Sequence, residues 1–272
     1  MKIGVYLYGM ASIAAGILDV VWGEFDPAEQ PIQAFADHIP GVKILAYLAA
    51  ACLIAGGAAI LWRRTARFGA VALAIIYAIF GVFSFPRFYT APHYLGYHVG
   101  IFLGVLGGVC QEVILVVAAA IVYAWFSTRG SLTPAAARTA RWTFGLCTVD
   151  FGLAHLTWVR SVVPNVPKWI PLGGAFWAVI TGIAFVLAGL AIVSGILDVL
   201  AARLLALMLL VFSALALAPM IFASPHDHGS WGTNAYNLAA VGAAWIVADW
   251  LATLRQPVGN RQTVQPAKPS LA

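Results

Sequence analysis

Charge is what this sequence has least of: Asp, Glu, Lys and Arg together make up only 9% of its 272 residues. A typical soluble domain carries about 25%, so a water-exposed globule is excluded. Cysteine is equally scarce, with three in all, too few for the disulfide framework of a small secreted domain. Cys52, Cys110 and Cys147 each fall within an apolar run, where a thiol packs as a small apolar side chain. The chain has no Gly-rich phosphate loop, nucleotide fingerprint or nucleophile–base set. Its net charge of +5 is scattered between apolar runs, so it marks topology and not a nucleic-acid footprint.

What fills the space is hydrophobic, 62% of the residues at a mean hydropathy of +0.91. A helix needs about 20 mostly apolar residues to cross the hydrocarbon. Eight stretches reach or approach that length: 3–22, 42–62, 68–85, 99–126, 142–160, 172–197, 204–222 and 234–254. Their unbroken apolarity predicts helices rather than the alternating strands of a barrel. The fold class expected is all-α: a polytopic membrane protein of eight transmembrane helices. Arg63, Arg64, Arg67, Arg129, Arg138, Arg141 and Arg203 fall between spans on one side, and Lys2, Arg255, Arg261 and Lys268 at the termini join them. The positive-inside rule makes that side, and both termini, cytoplasmic.

An internal duplication organises the chain. In the first span Gly9, Ser12, Gly16, Asp19 and Trp22 match Gly145, Thr148, Gly152, His155 and Trp158 at one offset. "PRFYTAPH" at 86–93 answers "PMIFASPH" at 219–226, and "AAAIVYAW" at 118–125 answers "AAWIVADW" at 243–250, which sets Glu112 opposite Asn237. A second "GILDV", at 195–199, lacks the tryptophan and is set aside as coincidence. Four spans per unit is an even number, so the copies enter the membrane the same way, as parallel repeats. The units expected are 1–126 and 142–255, with a cytoplasmic linker at 127–141 and a mobile tail at 256–272. The basic, apolar start resembles a secretion signal, but its counterpart at 142–160 is internal, so a span is expected there.

The pattern G-x6-G-x2 followed by a polar residue, the Gly-rich second helices "LIAGGAAIL" and "LAGLAIV", and "NLAAVGAAW" in the last helix together resemble the DoxX-like family of four-helix bacterial membrane proteins. The resemblance covers nearly the whole chain, as two fused units. It implies a bacterial-type inner membrane location. Through the members linked to thiosulfate oxidation, it also implies quinone as a cofactor and a soluble redox subunit as a partner. Two departures stand out: the position often basic in the family is Asp19 in one unit and His155 in the other, and the second helices lack an acidic residue.

Ionisable groups inside a bundle are usually paired or functional. Asp19 and His155 share a helical stripe with small residues, and if the repeat axis brings them together they form an acid–imidazole pair. Gly100, Gly104 and Gly108 form a stripe for close helix contact that ends in Glu112, with Gln111 and Asn237 as expected partners. Asp19, His155 and Glu112 are the candidate catalytic residues. Trp22, Trp158, Asn237 and Asp150 are the candidate cofactor contacts, although a tryptophan at a span end is more often an interfacial anchor. His93, His226 and His228 lie in Pro-His loops and are the candidate metal ligands, weighed against simple solvated loop histidines. Ile32, Phe35 and Ile39 in the first outer loop have the spacing of a surface helix. Three functions fit these readings: a quinone-linked redox component with a periplasm-facing site, a small-solute transporter, and a non-catalytic assembly partner in the bilayer.

Overall fold

The computed structural model describes residues 1–27, 41–128 and 130–255. The helices are α1 (Lys2–Trp22), α2 (Val42–Leu61), α3 (Ala66–Phe83), α4 (Arg87–Leu95), α5 (Val99–Phe126), α6 (Pro134–Thr157), α7 (Val159–Val162), α8 (Gly173–Ser194), α9 (Asp198–Phe212), α10 (Ala218–Ala223) and α11 (His228–Leu254). No strand occurs among the described residues. Among the described residues, seven helical runs are long and apolar enough to cross a bilayer: α1, α2, α3, α5, α8, the continuous run Asp198–Ala223 and α11. Their outward faces are apolar, with Leu48, Val82, Leu187, Leu190, Leu204 and Leu207 all exposed, as a lipid environment requires. The chain is a multi-pass helical membrane protein.

The eighth expected span, 142–160, corresponds to α6, which is not among the seven. It carries Arg138, Arg141, Asp150 and His155, and it begins at Pro134. Residues 134–141, read from sequence as linker, are therefore its first two turns. The Thr133 hydroxyl caps them by accepting a bond of 3.3 Å from the Ala136 N–H, and proline at the first helical position suits the helix start. The surface helix expected around Ile32, Phe35 and Ile39, and the tail at 256–272, lie outside the described residues.

The helices close a ring. In order, α1, α2, α3, α5, α6, α8, α9 and α11 each pack on the next, α11 returns to α1, and α5 crosses the middle to meet α11. The ring thus encloses two compartments that share α5 and α11 as a wall. Each is opened by a tight helix pair. A methyl added to Gly57 on α2 would lie 2.7 Å from the Gly9 carbonyl oxygen on α1, and one added to Gly189 on α8 would lie 2.5 Å from that of Gly145 on α6. Glycine is needed there because backbone meets backbone. The sequence stripe consequently splits: Gly9 and Gly16 face α2, while Tyr8, Ser12, Ala15 and Asp19 are buried on the same helix.

The α5 stripe also behaves differently from expectation. Only Gly100 is in close contact, against the backbone and Cβ of Thr157 and Trp158, while Gly108 has nothing within 4 Å. The two "GILDV" segments adopt different structures: 16–20 is inside α1, whereas 195–197 form the turn between α8 and α9 and 198–199 begin α9, with Gly195 and Leu197 at φ 77° and 55°. That turn presents Asp198, which is buried and accepts from Arg255 at 2.5 Å and pairs with Arg141 at 3.2 Å. At the same end the N-terminal ammonium pairs with Asp249, so the start of α1 and the end of α11 sit together.

Candidate functional site

The second compartment is hollow. A cavity of about 490 Å³ lies between α5, α6, α8, α9 and α11. Its walls are mostly apolar: Phe144, Phe151, Phe185, Phe212, Trp177 and Leu209 are among the lining residues. Phe185 is central, its ring centroid 5.8 Å from Phe151, 5.2 Å from His155 and 6.1 Å from Phe212. The segment 162–170 closes one end, and Trp169, Val211 and Leu215 on the rim are exposed. The rim therefore reaches the outer surface of the bundle, where lipid would lie.

A few polar groups line these walls. His155 is half-buried, and its Nδ1 lies 2.8 Å from the Phe151 carbonyl, an acceptor. Nδ1 must therefore carry the hydrogen, which leaves Nε2 as the free acceptor of the neutral ring. Asn237 donates from Nδ2 to the Leu209 carbonyl at 2.7 Å and the Ser213 hydroxyl at 2.8 Å, so its Oδ1 is the acceptor that remains. Thr148 and Thr181 donate back to carbonyls of their own helices, while Gln111 and Thr233 complete the polar set.

The helix opposite His155 is widened beside the cavity. Residues Ser213–Leu217 form a π turn, in which the Ala218 N–H reaches the Ser213 carbonyl, five residues back. Pro219 explains it: proline has no N–H to give the carbonyl four residues earlier, and its ring crowds that turn. Such π segments recur at functional sites. Leu215, Ala216 and Leu217 of this turn all line the cavity.

The first compartment is filled. Tyr8 donates to the Leu115 carbonyl at 3.0 Å, and the hydroxyls of Ser12 and Tyr77 are 2.8 Å apart. The Tyr77 ring stands 6.0 Å from Tyr8, 6.1 Å from Tyr236 and 6.4 Å from Phe80, with Phe25 edge-on to Phe80. Beyond these rings sits a buried acidic cluster. Asp19, Asp26 and Glu112 are all at most 5% exposed. Asp19 Oδ1 accepts the Asp26 backbone N–H at 3.1 Å, and Arg87 donates to the Pro27 carbonyl at 3.1 Å. His228, 4% exposed, lies over the cluster with its ring stacked on Trp22 at 4.8 Å between centroids.

These positions correct several expectations. Asp19 does not pair with His155; its imidazole neighbour is His228, with Nε2 3.5 Å from Oδ1. The ring order is the reason: α1 packs between α2 and α11, and α6 between α8 and α5, so the two residues occupy different compartments. Glu112 is not partnered by Gln111 or Asn237, which line the other cavity; it lies against Gly81 of α3. Trp22 stacks on His228, and Trp158 packs on Gly100 and edge-on to His98 at 5.4 Å. Asp150 is not in the cavity wall but beside Cys110 and Gly107 at the α5–α6 contact.

Nor do His93, His226 and His228 form a metal site. His93 stacks on Tyr89 within α4, His226 is exposed, and His228 turns inward. No group of three or more His, Cys, Asp or Glu side chains among the described residues could hold a metal ion. His228 is drawn in because α11 begins there, six residues earlier than its apolar run. Asp227 caps that start, accepting from the Ser230 hydroxyl at 2.5 Å and its N–H at 2.8 Å, and these bonds hold the Asp227 carboxyl below the ordinary carboxylate range. Sequence reasoning missed Asp26, Arg87, Tyr77 and Tyr236 as site residues; the adjacency of "FDP" to Asp19 was the only available signal. Comparison with family models, curated proteins and solved structures returns no match for this chain.

Proposed function

We propose that the chain is a quinone-linked component of a bacterial-type inner membrane, holding a ring-headed, lipid-soluble molecule in the cavity of its second compartment. The observation that carries this is a hollow of about 490 Å³ with aromatic walls, few polar groups and a rim among lipid-facing residues. Pockets of a few hundred Å³ with this lining suit a small amphiphile. A head-group hydroxyl, as in the reduced ring, would donate to His155 Nε2 or Asn237 Oδ1, while a head-group carbonyl would accept from Gln111 or Thr233. Electrons would come from a soluble partner, and His155 would take or give the proton at Nε2.

The same reading takes the chain as two parallel repeats of four helices, α6 being the fifth of eight spans. Three features support the duplication. Each first helix meets its second through a paired glycine contact, the packing order is the same in both halves, and buried Ala66, Ala70, Leu73 and Tyr77 on α3 have the spacing of Asp198, Ala202, Leu205 and Leu209 on α9. That spacing sets Tyr77 opposite Leu209, one residue off the register of the Pro-His segments, and the π turn supplies the extra residue. Grouping of the basic residues with Met1 and Asp249 at one end supports cytoplasmic termini.

Binding of a short-chain quinone and its reduced form to purified protein, followed by calorimetry, tests the reading. Micromolar affinity that falls about tenfold in His155→Leu, one lost hydrogen bond in a dry site, is the expected result. Absence of binding to the wild type contradicts it.

A further inference from the structure

We propose that Glu24, His228 and Asp19 form a proton-entry route from the aqueous surface into the buried acidic cluster of the first compartment, a site separate from the quinone cavity. The groups stand in line. The Glu24 side chain is half exposed, its Oε1 lies 3.8 Å from His228 Nδ1, and His228 Nε2 lies 3.5 Å from Asp19 Oδ1. Both ring nitrogens are buried without a hydrogen-bond partner, as is Asp19 Oδ2. An imidazole held between an exposed and a buried carboxylate, at 3.8 Å and 3.5 Å, is arranged to pass a proton between them. Closing each gap by roughly 1 Å makes the hydrogen bonds.

The proton balance is simple. A proton from water protonates Glu24 and moves to Nδ1, which makes the ring a charged imidazolium; the Nε2 proton then moves to the Asp19 carboxylate, and Asp19 ends as the neutral acid. The ring is left as the other tautomer and resets by the reverse exchange or by turning over. The charges facing His228 are those of Asp19 on α1, Glu24 in the following turn and Asp227 ahead of its own helix, and Asp26 stands beside Asp19. Glu112 adds a further buried carboxylate whose Oε2 has no partner. Arg87 stands close enough to Glu112 to act on its charge, and a proton is a further charge that can neutralise a carboxylate in a low-dielectric interior. No group of three or more His, Cys, Asp or Glu side chains among the described residues could hold a metal ion.

Trp22 supplies the reporter, because a charged imidazole stacked on indole quenches its emission. In lipid nanodiscs, the difference between wild-type and Trp22→Phe emission should fall at least twofold as the pH drops from about 8 to about 5. The transition should vanish in His228→Gln and move about 0.5 pH unit or more toward acid in Asp19→Asn and in the surface variant Glu24→Gln. After a pH jump, the infrared carbonyl band of protonated Asp19, assigned by its loss in Asp19→Asn, should appear about tenfold more slowly in Glu24→Gln. A transition unmoved by Asp19→Asn and Glu24→Gln, an unchanged rate, or quenching driven by sodium or potassium at fixed pH would each overturn the proposal, the last in favour of a cation site. Glu24 is exposed, so its variant keeps the test decisive even if His228→Gln does not fold.

Discussion

At the centre of the first compartment Tyr77 meets Tyr8 and Tyr236 ring to ring; at the matching level of the second, Leu209 and Gln111 face an open volume of about 490 Å³. The surrounding helices follow the same order in both halves. In the register of the proposed repeats, the difference lies in a few side chains: Leu209 for Tyr77, Gln111 for Tyr236 and Asn237 for Glu112. Phe144 and Thr148 retain the bulk and the hydroxyl of Tyr8 and Ser12, so α6 does not open the space. Where the first half invests its interior in aromatic packing and buried carboxylates, the second leaves a cavity whose polar groups are mostly uncharged. One scaffold thereby holds two kinds of interior, a packed acidic one and a hollow apolar one.

The comparison can be broken most severely where the halves agree. Replacing Gly57 or Gly189 by Leu forces side chain into backbone, and each should cost stability at the upper end of the ~1–3 kcal/mol seen for overpacked cores. Thermal unfolding in detergent should show losses of similar size in both halves. Tyr77→Leu should come next, at about 2 kcal/mol, because it leaves a void and removes the hydrogen bond to Ser12. The reciprocal Leu209→Tyr, with Gln111→Tyr, should leave unfolding nearly unchanged while reducing quinone affinity at least tenfold in calorimetry, since the added rings enter empty space.

The smallest effect concerns the cap that turns His228 inward. Asp227→Ala should cost about 1 kcal/mol at neutral pH. Because the folded-state carboxyl is held below its ordinary range, the native contribution is present above the unfolded value and fades as pH falls below about 4. The stability gap between wild type and variant, followed by unfolding at stepped pH, should therefore narrow on acidification.

Composition alone made the bilayer and the helices legible, because span length and apolarity are local properties. The glycine contacts were legible as a stripe, but their split from the Asp19 face required knowing which neighbour lies on each side. The partner of Asp19 was hidden for a different reason. His228 is far away in sequence, and its approach depends on α1 packing against α11 rather than α6. The polar stretch "HDHGSWGTN" disguised the start of α11, since a capped helix end carries no apolar periodicity. The cavity was least visible of all, because a hollow depends on the sizes of residues that meet only once the ring has closed.

Photolabelling with an azido-quinone, mapped by mass spectrometry, tests most directly whether the second compartment is the ligand site. Labels confined to α6, α8, the turn at 213–217 and the lining residues of α11, displaced by unlabelled quinone and lost in the Gln111→Tyr, Leu209→Tyr double variant, are the expected result. Labels on α1, α2 or α3, or spread along the lipid-facing surface regardless of that variant, would contradict it.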